Sequence, residues 1–134
     1  MTVERLEVLR RSLLALTGAS CVAYALLAIV QNKPDPLYWW VPMSFGIASA
    51  VLITAGFLMA GRDVAKQATD ELYRATEVRA SSRAYWVSLA LFVLFAVLAG
   101  RDVLAWPTSV AAFGTLMGAS YLVLFAYYDW RASQ

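Results

Sequence analysis

The side chains that could do chemistry crowd into one stretch, Arg62–Arg83, which reads RDVAKQATDELYRATEVRASSR. It carries five of the eleven basic residues and four of the nine acidic ones, and it is the only long polar segment in the chain. The spacing does not assemble an acid–base pair. Asp70 and Glu71 are neighbours in sequence and point to different sides of a helix, and no nucleophile has a base beside it. The chain contains no histidine, which excludes histidine acid–base catalysis, histidine metal sites and bis-histidine haem ligation. Cys21 has neither a disulfide partner nor a second metal ligand, and within its apolar run it reads as a small lipid- or helix-facing residue. There is no glycine-rich phosphate loop. The expectation is a protein that is not an enzyme and holds no cofactor. What closely spaced charges can do is select a complementary surface, because opposed charges fix register and mismatched ones are costly.

The rest of the chain must place that stretch. Of its 134 residues 61% are hydrophobic and 15% charged, against roughly 45–50% and about 25% in soluble domains. A soluble protein of this size could not bury so much apolar surface. Residues 1–12 set Val3, Leu6, Leu9 and Leu13 at near-helical spacing, with Glu7 and Arg11 four apart in the favourable order. Charge-free runs follow at Leu13–Val30, Pro42–Ala60, Ala84–Ala99 and Pro107–Tyr128. Eighteen residues at ~1.5 Å each cover most of a ~30 Å hydrocarbon core. Ala23-Tyr24-Ala25 imitates a signal-peptidase site, but the first run exceeds the ~7–15 residues usual for a signal peptide, and two glutamates precede it. The prediction is an all-α integral membrane protein of one domain, 1–134, with spans at about 10–31, 42–61, 84–104 and 107–128. The spans form two helical hairpins, and a cytoplasmic hairpin at 62–83 joins them.

Orientation follows from charge. With the N-terminus in the cytoplasm, that side holds Arg5, Arg10, Arg11, Arg62, Lys66, Arg74, Arg79, Arg83 and Arg131, and the other side only Lys33 and Arg101. Nine against two is a strong positive-inside bias and places both termini in the cytoplasm. The five tryptophans, 39, 40, 86, 106 and 130, all fall at predicted helix ends, where indoles prefer the headgroup layer. Trp40-x-Pro42-x-Ser44 and Trp106-Pro107-x-Ser109 open the second and fourth spans alike, with proline in the first turn. No charged residue lies mid-span, where proton-coupled pumps keep one.

Small residues mark faces on which helices can approach closely: Gly114 and Gly118 with Ala111, Ala15 and Ala19 with Ala23, and Gly46 and Ala50 with Thr54. These serve packing within the bundle or a homodimer. The third span is bulky instead, with Phe92, Leu94, Phe95 and Leu98 to fill grooves.

Within the central stretch, neither Gly nor Pro occurs between Gly61 and Gly100. The second helix is expected to run on to about Ala68 and the third to start near Asp70, with Thr69 or Asp70 as N-cap and Glu71 in the first turn. The third helix would then project ~20 Å before Tyr85 and Trp86 reach the headgroups. One side of it would show Leu72, Ala75, Thr76 and Arg79. Basic and acidic residues are interleaved at a net charge of +2, which is not the footprint of a nucleic-acid binder.

Asp70-Glu71-Leu72-Tyr73-Arg74, followed by Arg79-Ala80 and an aromatic entry to a span, resembles a pattern in small multi-span bacterial membrane proteins. These carry Asp-Glu-[Leu/Met/Arg]-x-Arg in their central cytoplasmic loop, often with a helix-turn-helix regulator encoded alongside. The likeness covers some fifteen residues plus the four-span layout, and Thr76 stands where isoleucine is usual. It implies a membrane-embedded partner that sequesters or controls such a regulator through Asp70, Glu71, Arg74, Glu77, Arg79 and Arg83. The alternatives are a small transporter or multidrug-type efflux subunit, and an accessory subunit of a larger membrane complex.

Overall fold

The computed structural model describes residues 2–133, and among them every regular element is an α-helix. The helices are α1 (Val3–Gln31), α2 (Trp40–Ala60), α3 (Arg62–Gln67), α4 (Glu71–Gly100) and α5 (Trp106–Ala132). Four of them, all but α3, are long and apolar enough to cross a membrane.

Local chemistry sets the boundaries. At the start of α1 the Thr2 hydroxyl accepts the Arg5 N–H at 3.4 Å, and Glu4 favours the positive end of the helix. The helix stops at Asn32, which adopts the left-handed conformation (φ 48°) while its N–H and that of Lys33 return to the Ile29 and Ala28 carbonyls. Pro107 lies in the first turn of α5, where its missing N–H costs nothing. Asp70 caps α4, its carboxylate accepting the Tyr73 N–H at 3.1 Å.

One boundary differs from the expectation. The second helix does not run on to Ala68. It breaks at Gly61, whose φ of 82° and ψ of 165° are open to glycine and strained for other residues. Six residues beyond the break wind into the separate α3, so the extension of the second helix is replaced by a short helix in a new direction. By contrast, α4 does extend. Its 30 residues measure ~45 Å against a ~30 Å hydrocarbon layer, so the polar half, Glu71–Arg83, stands clear of the apolar half.

The long helices stand in a row. α5 packs against both α1 and α4, α1 packs against α2, and α2 does not touch α4. The α1–α5 seam depends on Gly18. A Cβ there would lie 2.8 Å from Val123 Cγ2 and 3.3 Å from Leu122 Cβ. The α1–α2 seam is polar at its centre, where Thr17 Oγ1 and Ser49 Oγ share a 2.7 Å hydrogen bond. Between α4 and α5, Phe95, Leu104 and Ala112 form a core with Leu98 and Phe113 beside it, whereas Phe92 and Leu94 face outward.

The small-residue stripes are not the contact faces within the chain. Gly114 and Gly118 are exposed, with open space where a Cβ would stand, and Ala15, Ala19 and Ala50 are exposed as well. Only Gly46 approaches a neighbour, the Thr17 methyl at 4.0 Å.

Candidate docking surface

At the end of the row that holds both helix termini and residues 61–70, one side chain ties the elements together. Arg10 is only 5% exposed. Its Nη1 donates to the Ala68 carbonyl at 2.9 Å and its Nη2 to Asp129 Oδ1 at 2.9 Å. The Ala68 carbonyl belongs to the last turn after α3, where helical carbonyls have lost their intrahelical donors, so the guanidinium satisfies a group the helix cannot. The same cation sits 4.5 Å from the Tyr73 ring centroid and 5.6 Å from that of Phe125, against the negative faces of both rings. Those rings pack edge to face at 5.5 Å. α1, the turn after α3, the first turn of α4 and the last turns of α5 are thereby joined through one residue. Burial pushes the Tyr73 phenol above its ordinary range, Glu77 adds to the effect, and Arg10 opposes it.

This clasp aims α4. Tyr73, Thr76, Ala80 and Ala84 recur at helical spacing and turn toward α5; Thr76, Ala80 and Ala84 are buried and Tyr73 half-buried. The weakly apolar stripe expected through Leu72, Ala75, Thr76 and Arg79 is therefore not a surface stripe, because Thr76 faces inward. The outward strip is Ala75, Val78 and Ser82, and Arg74, Arg79 and Arg83 line it on both sides.

The six residues singled out from the sequence are all exposed, but they do not form one cluster. Arg74, Arg79 and Arg83 come together around the strip. Arg79 also lies 5.9 Å from the Tyr128 ring, on the last turns of α5. Asp70 is engaged as the α4 cap. Glu71 heads the helix, and Glu77 stands on the flank near Tyr73 and Tyr121. None of the six is in an ion pair; among the described residues the pair is Arg10–Asp129.

Neither Arg10 nor Asp129 is among the site residues expected from the sequence. The available signal was position. Arg10 follows Val3 and Leu6 by seven and four residues, so it stands on the apolar face of α1, where a solvated arginine would not be placed.

The opposite end is closed by two lighter ties. Asn32 Oδ1 accepts the Ala105 N–H at 3.0 Å, and the Tyr24 hydroxyl donates to Asp35 Oδ1 at 2.8 Å. Among the described residues no three His, Cys, Asp or Glu side chains converge as a metal site would require. Comparison with family models, curated proteins and solved structures finds no match to the chain.

Proposed function

We propose that this chain is a multi-pass protein of the bacterial inner membrane, not an enzyme, whose central segment docks a soluble cytoplasmic protein. The partner class we assign is a small helix-turn-helix transcription regulator. Both termini and residues 61–83 face the cytoplasm in this reading, on the strength of the nine-to-two bias in basic residues.

One observation carries the docking role. The polar half of α4 is a single continuous helix, fixed at its base by the buried Arg10 clasp, and its exposed charges form no ion pair among the described residues. A mere connector between spans needs neither a rigid helix nor a buried ion pair to hold it. Charges presented on a fixed helix keep their geometry, so a partner that meets them loses little ordering entropy on the membrane side.

The test is recovery of tagged protein from gently solubilised membranes, for the wild type and for a variant with Glu71, Arg74, Glu77, Arg79 and Arg83 all changed to Gln. The wild type is expected to bring down a small DNA-binding regulator in near-stoichiometric amount, and the neutral variant to insert normally and bring down none. Identical recoveries would reduce the segment to a connector. Orientation is checked separately with cysteines at positions 35 and 75: external reagent in intact cells is expected to label only position 35.

A further inference from the structure

The outward face of α4 has a chemistry of its own, and it is not the balanced mixture that the sequence of the segment suggests. Ala75, Val78 and Ser82 form a shallow strip of small side chains, Val78 being 68% exposed, and three arginines rim it. Of the acids, Asp70 is spent on the helix cap and Glu77 stands on the flank toward Tyr73, while Glu71 heads the strip one turn before Ala75. From Arg74 to Arg83 the face is therefore basic at its edges and weakly apolar along its middle.

We propose that this face binds one acidic amphipathic helix of a soluble protein. The proposal rests on the docking reading above and narrows the partner's chemistry. Small residues along the strip let a second helix approach to the close end of the ~8–10 Å range of helix packing, and the arginine side chains then reach past it on both sides. The strip from Arg74 to Arg83 is ~14 Å long, about two and a half turns of such a helix. Carboxylates on the two flanks of the partner would meet Arg74 on one side and Arg79 and Arg83 on the other, in the bidentate geometry that guanidinium favours.

The competing occupant is an anionic lipid headgroup, and height decides against it. Trp86 marks the headgroup level; Arg83 stands ~4.5 Å above it, Arg79 ~10 Å and Arg74 ~18 Å. The headgroup layer of one leaflet is only ~5–7 Å deep, so two of the three arginines lie beyond it.

The experiment uses the full chain in zwitterionic nanodiscs and a fluorescent synthetic helix of about 18 residues with an Ala/Leu face flanked by glutamates. Fluorescence anisotropy is expected to give a Kd of about 10–100 µM, as suits a small interface, with a lysine-flanked version at least tenfold weaker. Arg79→Glu with Arg83→Glu is expected to weaken the acidic helix at least tenfold, and Val78→Trp, which leaves every charge in place and blocks close approach along the strip, to do the same. Three results overturn the proposal: no binding at about 1 mM peptide, equal binding of the two peptides, or wild-type binding by the double variant. Loss of peptide binding when about 30% anionic lipid is included would hand the face to headgroups instead. A photo-crosslinker at position 78 in cells separates this idea from the docking reading. A soluble protein crosslinked there while the peptide assay fails leaves docking standing and removes the acidic helix, whereas failure of both removes both.

Discussion

Arg10 and Arg79 both reach toward the last turns of α5, and the two could hardly be treated more differently. Arg10 is buried, with an ion pair to Asp129, a hydrogen bond to Ala68 and aromatic faces on both Tyr73 and Phe125. Arg79 is exposed, in no ion pair among the described residues, and only loosely over Tyr128. The difference teaches which charges hold the structure and which are free to act outside it. A buried cation must be matched by partners in the same molecule, since stripping it of water costs several kcal/mol. An exposed one keeps its water, contributes little to the fold, and can meet something else.

The largest test of that division is Arg10→Ala. Removing one member of a buried pair strands the other, and a loss of about 3–5 kcal/mol is expected. Unfolding in detergent can be followed by alkylation of Cys21, a half-buried thiol on α1. Replacing Arg10 by Met together with Asp129 by Leu is expected to recover most of that loss, because neither charge is then left alone. The Ala68 carbonyl would still lack its donor, so recovery should be incomplete.

The second effect concerns the α1–α5 seam that brings Arg10 to Asp129. Gly18→Ala places a methyl 2.8 Å from Val123 Cγ2. Overpacking of this kind costs about 1–3 kcal/mol, offset in part by the better helix propensity of alanine. The same change at Gly118, where the space is open, is expected to leave the unfolding midpoint where it is or raise it. If both changes destabilise equally, Gly118 is buried against another copy of the chain, and the readout is the oligomeric state by size.

A smaller effect is expected at the Thr17–Ser49 bond between α1 and α2. Interhelical hydrogen bonds of this kind average about 0.6 kcal/mol in membranes, because each hydroxyl finds a carbonyl of its own helix when the partner is gone. Thr17 already has one, the Leu13 carbonyl at 2.9 Å. A double-mutant cycle with Thr17→Val and Ser49→Ala measures the coupling directly.

Much of this arrangement was legible in the sequence, for physical reasons. Apolar runs long enough to span a bilayer, proline in the first turn of α5 and Asp70 as a cap are local signals, and each holds in the fold. The break at Gly61 is not legible in the sequence. A single glycine costs a helix only about 1 kcal/mol, and only the backbone conformation shows that the helix was not continued through it. The small-residue faces did not show which contacts form within the chain, because glycine and alanine permit close approach without requiring it. Gly18 and Gly118 are alike in sequence, and only the position of α1 against α5 makes one essential and leaves the other open. The Arg10–Asp129 pair joins residues 119 apart, a separation that no local pattern encodes. The outward arginine strip was half legible: the charges stand in the sequence, but the phase of α4 about its axis, set by Tyr73 and Thr76, separates Arg74, Arg79 and Arg83 from Glu77.

The smallest expected effect on the fold completes the comparison from the exposed side. Among the described residues Arg74, Arg79 and Arg83 have no ion-pair partner to strand, so changing all three to Gln is expected to move unfolding by no more than about 0.5 kcal/mol. Glutamine keeps the helix propensity nearly level, which removes the commonest confounding term. The measurement is again Cys21 alkylation, run beside Arg10→Ala under the same conditions. A triple variant as unstable as Arg10→Ala would mean that these arginines are bound within the folded molecule or its oligomer, and the division between holding and recognising charges would fail. A triple variant as stable as the wild type leaves three cations on a fixed helix with no task inside the chain. Their contribution would then have to appear as salt-sensitive binding, which weakens as ionic strength rises because these groups are near the surface, while the Arg10 pair, shielded by its burial, responds far less.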